Sequence, residues 1–319
     1  MSDLLYQIPG NPVPEGATAG LLDTADGHRI RFARFVATGR PLRGTVVILP
    51  GRNEAIEKYF ETVGDLAARG FATATLDWRG QGASDRLLRD RERGYVGSFD
   101  DYVADLDRLF EEVILPDCRP PYYVLGHSTG ALVALLAAPG LVNRVRRMVL
   151  CAPLLGFAGT AFSDRALYRL SSLLFALGLG RVYMAGGPRP REAIPFAFNK
   201  LTTDYARYAR NQELYRRHPA LALGGPTAAW IRAACRAIRT VRDPEFAARI
   251  RIPALFVAAG ADEVVSNRAI EDYHGRLRSG ALVTVDGARH ELLQEADAYR
   301  EQVLAAFDAF VPGSDAVFA

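Results

Sequence analysis

The strand-like parts of this chain are continuous apolar runs rather than alternating ones. Residues 45–49, 71–76, 145–151, 254–259 and 281–285 are short, apolar and rich in β-formers. Runs of that kind read as strands buried on both faces. Between them the period lengthens. Phe99, Tyr102, Val103, Leu106, Phe110 and Val113 recur at helical spacing, and Ser98 with Asp101 forms a capping box that opens this helix. From residue 44 onward strand and helix alternate, which predicts an α/β fold with a mainly parallel central sheet flanked by helices. Sheets of that kind place their sites at the carboxyl ends of the strands. Upstream, residues 19–23 and 29–36 predict two strands joined by a hairpin at Ala25-Asp26-Gly27.

Two stretches break the alternation. Residues 1–16 carry Pro9, Gly10, Pro12, Pro14 and Gly16 and predict an extended arm. Residues 154–251 contain no convincing buried strand, but Leu167, Leu170, Leu174 and Leu177 repeat at helical spacing. Trp230, Ala233, Ala234, Ala237, Ile238 and Val241 do the same. The expected organisation is therefore a core of residues 17–153 and 252–312, a helical lid at 154–251 inserted after the sixth core strand, and the arm at 1–16.

Composition narrows the function classes. A hydrophobic content of 49% over 319 residues is ample for one large core. The net charge of +3 is carried almost wholly by arginine, since Lys58 and Lys200 are the only lysines. No basic tract with interleaved aromatics is present, so nucleic acid is not an expected partner. Cys118, Cys151 and Cys235 are odd in number and widely spaced, which predicts free thiols in a reducing compartment. The first sixteen residues lack the basic and apolar regions of a signal peptide, and no apolar run reaches membrane-spanning length. The expected location is the cytoplasm, with peripheral contact at the inner membrane left open. The histidines are scattered and no phosphate-cradling loop is visible, so neither a metal nor a cofactor is expected.

The candidate chemistry centres on Gly126-His127-Ser128-Thr129-Gly130, between a β-rich run at 122–125 and the helix formers that follow. This is the pattern of a nucleophile elbow, in which a strained strand-to-helix turn presents a serine. Ser128 needs a base, and the base an orienting acid. Of the five histidines, His28 lies in the hairpin, His218 in the lid and His274 on a helix, and His127 should turn away from its neighbour. His290 follows a strand directly and is the expected base. Asp262 ends another strand and is the expected acid, with Glu263 open as an alternative by a one-residue slip. The chain order Ser, Asp, His is that of α/β-hydrolases. Two backbone amides should hold the oxyanion, those of Thr129 and Arg52, although Gly51-Arg52-Asn53 also reads as a plain turn.

These segments resemble an α/β-hydrolase of the monoacylglycerol lipase and lysophospholipase group. The likeness is carried by Pro50-Gly51-Arg52-Asn53-Glu54 with Lys58-Tyr59, Asp77-Trp78-Arg79-Gly80-Gln81-Gly82-Ala83-Ser84, the elbow, Ala261-Asp262 and Ala288-Arg289-His290-Glu291. It is strongest to bacterial lysophospholipases, through Arg93-Gly94-Tyr95-Val96, Phe99-Asp100-Asp101-Tyr102, residues 194–199 and Gly224-Gly225-Pro226-Thr227 with Trp230. Pro50-Gly51 departs from the His-Gly usual in monoacylglycerol lipases, and Thr129 stands where many relatives have methionine. The resemblance implies an enzyme that cleaves carboxylic esters of lipids without a cofactor. A small-ester carboxylesterase and a proline iminopeptidase-like hydrolase share the same core. A silent binding module of this fold typically lacks one of the three site residues, and all three are here. Phe157, Phe196, Phe198 and Trp230, with Leu173, Leu174 and Phe175, are candidates to line an acyl groove; the alternative is that they simply pack the lid. Arg207, Arg210, Arg216 and Arg217 could meet a phospholipid headgroup or an anionic membrane, or form a solvated helix face.

Overall fold

The computed structural model describes residues 4–188 and 194–311. Residues 1–3 of the expected arm, 189–193 of the expected lid and residue 312 of the expected core lie outside the described residues. Eight strands form one sheet: β1 (Thr18–Asp23), β2 (Arg29–Phe35), β3 (Gly44–Leu49), β4 (Phe71–Leu76), β5 (Tyr122–His127), β6 (Val145–Cys151), β7 (Ala254–Ala259) and β8 (Gly280–Val285). Their spatial order is β1-β2-β4-β3-β5-β6-β7-β8. The first two pair antiparallel, β2 meets β4 antiparallel, and every pairing from β3 onward is parallel. Every residue of β3, β5 and β7 is buried, as continuous apolar runs require of strands covered on both sides. The run at 281–285 is different. It forms the sheet edge, and within β8 only Val285 is buried, because no further strand covers its outer side.

The helices follow their caps. After α1 (Phe60–Ala68), α2 (Phe99–Leu109) opens at Ser98 with both halves of the capping box in place. It runs on through a π-helical turn (Phe110–Ile114) into α3 (Leu115–Asp117). The elbow helix α4 (Thr129–Leu141) is apolar all round and almost wholly buried, as a helix between a sheet and other helices must be.

Between β6 and β7 the chain leaves the sheet and forms α5 (Asp164–Ala176), α6 (Tyr205–Arg217), α7 (Ala228–Arg242) and α8 (Pro244–Arg249). These helices divide into two kinds. The buried face of α7, from Trp230 to Val241, belongs to the main hydrophobic cluster, and Trp230 meets Phe99 of α2 edge-on at 5.6 Å. In α5 only Ser171 is buried. A helical period marks both segments as helices, but does not separate a core helix from an outer one. After β7 come α9 (Asn267–His274) and α10 (Asp297–Phe310). The arm is packed: Leu5 joins the main core, and Ile8 a small cluster with Ala55, Leu214 and Leu221.

Candidate active site

The carboxyl ends of β3, β5, β7 and β8 converge on one point. At the end of β5 the backbone of Ser128 takes φ 50° and ψ −111°, outside the helical and extended regions. Such a conformation persists only where the surroundings over-determine it. Here the Ser128 N–H donates to the Cys151 carbonyl at 3.0 Å, and the Ser128 carbonyl accepts from Leu132 and Leu154, each at 3.1 Å. The flanking glycines are steric necessities. A Cβ on Gly126 would sit 2.8 Å from Ala131 Cα, and one on Gly130 only 2.0 Å from the Leu49 carbonyl oxygen and 2.6 Å from that of Pro50. The elbow helix is thus pressed directly onto the turn after β3.

His290 Nε2 lies 3.1 Å from Ser128 Oγ, and its Nδ1 lies 2.8 Å from Asp262 Oδ2. A carboxylate only accepts, so Nδ1 carries the proton and Nε2 is left to accept from the serine hydroxyl. The other Asp262 oxygen accepts the amides of Val264 at 2.7 Å and Val265 at 3.0 Å. Burial pushes the Asp262 carboxyl up, but the hydrogen bond and charge of His290, with the two amides, hold it below its ordinary value. Glu263 is exposed at the edge of the same cavity and pairs with Lys200 at 2.7 Å. Of the two carboxylates, Asp262 is the one that meets the histidine.

The turn after β3 supplies the opposite wall. The Gly51 N–H donates to Glu54, and the Asn53 N–H donates to Gln81 Oε1 at 2.6 Å. Arg52's own amide makes no hydrogen bond among the described residues. Thr129 opens α4, where first-turn amides lack intrahelical partners. The Arg52 side chain reaches the roof: its guanidinium donates to the Gly224 carbonyl and lies 5.5 Å from the Trp230 ring centroid. Burial pushes it down to about 10, which leaves it charged at neutral pH. Asn53 is tied the same way, accepting from the Leu223 amide at 2.7 Å and from the Tyr215 hydroxyl at 3.0 Å.

Beneath this wall lies a buried polar cluster to which sequence reasoning gave no role. Glu54 accepts from Lys58 at 2.8 Å and from the Tyr59 hydroxyl at 2.5 Å. Lys58 also reaches Glu291 at 2.5 Å. His127 does turn away from the serine: its Nδ1 lies 3.2 Å from Glu54 and its Nε2 3.1 Å from the His290 carbonyl. Both partners only accept, so the ring holds two protons and is an imidazolium. Burial opposes that charge, but Glu54 outweighs it and raises His127 above its ordinary value. Burial likewise pushes Glu54 up, yet Lys58 and His127 hold it well below the usual carboxylate range. Two acids and two bases therefore balance, and they join the turn at Gly51 to the loop that bears His290. The four-residue spacing of Glu54 and Lys58 was the available signal.

Ser128 and His290 open into a cavity of about 1250 Å³. Phe157, Phe196 and Trp230 line it as expected. Phe198 does not: it is 75% exposed. Leu173, Leu174 and Phe175 are also outside the lining, and Phe162, Leu167, Leu170 and Met184 stand in their place. Of the four arginines offered for a headgroup, two are structural. Arg207 pairs with Glu61 at 2.5 Å and Asp297 at 2.7 Å, and Arg210 with Glu61 at 2.8 Å, which fastens α6 to α1. Arg216 and Arg217 pair with Glu213, and only Arg216 reaches the cavity. Among the described residues no group of three or more His, Cys, Asp or Glu side chains is placed to hold a metal ion.

An eight-stranded, mainly parallel sheet with a serine elbow and an Asp-supported histidine defines an α/β-hydrolase. Residues 40–297 match the family model described as "Serine aminopeptidase, S33", and the chain belongs to that family, in its lysophospholipase and monoacylglycerol lipase group. It is 34% identical over 304 residues to lysophospholipase L2 of Escherichia coli K12, covering 89% of this chain and 84% of that one. Among solved structures it resembles a soluble variant of the Saccharomyces cerevisiae monoglyceride lipase, with a TM-score of 0.72 at 18% identity over 92% of this chain and 96% of that one. The Paleococcus ferrophilus monoacylglycerol lipase gives 0.69 at 21% identity, over 88% and 98%. At those identities the likeness is one of fold.

Proposed function

We propose that this hydrolase cleaves a carboxylic ester of a single-chain lipid, a lysophospholipid or a monoacylglycerol, through an acyl-enzyme on Ser128. The observation that carries this reading is the line from Asp262 through His290 to Ser128 at the floor of a cavity with a long apolar wall. His290 takes the serine proton as the hydroxyl attacks the ester carbonyl, and Asp262 stabilises the imidazolium that forms. The amides of Arg52 and Thr129 hold the oxyanion. His290 then returns the proton to the leaving alcohol, and water clears the acyl group by the same steps in reverse. No cofactor takes part. Phe157, Leu167, Leu170, Phe196 and Trp230 receive the acyl chain, and α5 with residues 194–201 acts as the lid.

A peptide substrate is the second reading that the family description raises. An aminopeptidase needs an uncompensated carboxylate for the substrate's ammonium group. Each acid that lines this cavity already has a cation: Glu54 and Glu291 share Lys58, Glu213 has Arg216 and Arg217, and Glu263 has Lys200. That favours the ester. The three cysteines are free, which supports a reducing, cytoplasmic setting.

The test is fatty-acid release from a lysophospholipid and a monoacylglycerol in parallel, wild type against Ser128→Ala. Loss of turnover by on the order of 10⁴-fold or more is expected. Retained activity in the variant removes Ser128 from the mechanism. Activity on neither lipid, with turnover of small esters or amides, replaces the substrate class.

A further inference from the structure

We propose that the Arg52 side chain is the anion-recognition element of the Ser128 cavity and selects a substrate whose leaving alcohol carries a phosphodiester. The proposal rests on the lipid-ester reading above and chooses between its two lipids.

The other buried cations of this chain are compensated. Arg31 has Glu57 and Asp77, Lys58 has Glu54 and Glu291, Arg79 has Asp26 and Asp105, and Arg300 has Glu61 and Asp65. Arg86 has no carboxylate, but it donates to the carbonyls of Gly80, Gly82, Ala220 and Ala222. Arg52 has a single carbonyl, that of Gly224, and the face of Trp230. Its Nε is buried without a partner. The ionisable groups that act on it are the Tyr102 and Tyr183 phenols, which are neutral at pH 7. Among the described residues no carboxylate answers its charge, and a buried charge without a partner is costly to keep.

The cavity repeats this imbalance. Of the lysines and arginines that line it, Lys58, Lys200 and Arg216 have carboxylate partners among the described residues and Arg52 has none. The acids of the lining are all paired, so the cavity offers an anion a free guanidinium and offers a cation no free carboxylate. The guanidinium is also held in place. Gly94 packs against it, and a Cβ there would lie 2.6 Å from Nη2 and 3.2 Å from Nε. Gly94 is not among the glycines with positive φ, so the missing side chain makes room for this contact rather than for the backbone.

In the mechanism above the Arg52 amide holds the oxyanion. The same number of bonds separates that amide nitrogen from the guanidinium carbon as separates the ester carbonyl carbon from phosphorus in a lysophospholipid acylated at the end carbon of glycerol. One residue can therefore meet both ends of the glycerol, the ester with its amide and the phosphodiester with its guanidinium. Guanidinium N–H groups make strong, charge-assisted hydrogen bonds to phosphate oxygens. A monoacylglycerol presents only a neutral hydroxyl at that end. Arg207 and Arg210 are tied to Glu61 and do not compete for this role.

The experiment compares steady-state kinetics on lysophosphatidylglycerol and on a monoacylglycerol of the same acyl chain, both in neutral detergent micelles. The wild type should favour the phospholipid by about thirtyfold in kcat/KM. Arg52→Gln, which keeps a donor for Gly224, should cut that ratio by about tenfold or more, through a raised KM for the phospholipid. Gly94→Ala, which displaces the guanidinium and leaves the Arg52 amide in place, should cut it in the same direction. The thermal midpoint of Arg52→Gln should equal or exceed that of the wild type, because an unpaired buried charge has been removed. A ratio that survives Arg52→Gln, an equal loss on both lipids, or a wild type with no preference would overturn the proposal. So would inhibition of monoacylglycerol turnover by inorganic phosphate that Arg52→Gln abolishes while the lipid ratio stays fixed, since the guanidinium would then serve a free anion. Turnover of neither lipid, with cleavage of a small ester intact, would overturn the lipid-ester reading and the headgroup role with it.

Discussion

The floor and the roof of the cavity are built on different principles. The floor is backbone: strand ends, a positive-φ serine, two glycines with no room for a side chain, and a histidine and an aspartate on the turns after adjacent strands. The roof is side-chain packing and ion pairs made by the helices between β6 and β7. Positions in the floor tolerate one residue type, so they are conspicuous as a pattern. Positions in the roof tolerate any residue that fills the space. The two meet at Arg52 and Asn53, whose amides belong to the floor and whose side chains are held by Gly224, Trp230 and Leu223.

Changes to the floor should have the largest effects. Asp262→Asn removes the acceptor that fixes the His290 tautomer, and kcat should fall by roughly 10⁴-fold with the fold retained. Glu263→Gln, at the exposed Lys200 pair, should leave kcat unchanged within about twofold, as surface pairs contribute little. Steady-state kinetics on one soluble ester compares the two. Equal effects would erase the distinction between the adjacent carboxylates.

At the junction the effect should be intermediate. Asn53 has φ 59°, so Asn53→Gly keeps the backbone relaxed while deleting the acceptor for Leu223. We expect kcat to drop by about tenfold, with a smaller change in KM, because the turn after β3 loses its tie to the roof. A change in KM alone would mean that the roof binds substrate without positioning the floor.

The pH dependence sharpens the contrast further. Asp262 is depressed in the folded state, so its contribution is present above the unfolded carboxylate value and is lost as pH falls through the folded one. His127 is raised, so its contribution is full below the unfolded imidazole value and is lost as pH rises through the folded one. Urea unfolding followed against pH should therefore show a decline as pH rises above the unfolded imidazole value that His127→Gln removes. An unchanged decline in the variant would take His127 out of the cluster. The smallest effect should come far from the site: Ser98→Ala deletes the α2 cap and should cost about 1 kcal/mol in the same assay, with kinetics unaffected.

The contrast also accounts for what could be read from the chain alone. The parallel sheet, the elbow and the pairing of Asp262 with His290 were legible because each is written in local spacing or strand-end position. The roof was not. A helical stripe such as Leu167, Leu170, Leu174 and Leu177 looks the same whether it faces a cavity, a core or solvent, and here it does not keep to one of them. Arg207 and Arg210 looked available because their partner, Glu61, lies far away in sequence on another helix. The burial of 281–285 was overestimated for a similar reason: an apolar run does not announce that it is the last strand of a sheet.

The contact under Gly130 has a consequence for how this site can change over generations. What presses on that glycine are the carbonyl oxygens of Leu49 and Pro50, and the Pro50 carbonyl also accepts from the Trp78 indole at 2.8 Å. Every amino acid brings the same carbonyl. Position 50 can therefore exchange histidine for proline without disturbing the seam, whereas position 130 has no substitute to offer. Variation is free on one side of the joint and closed on the other.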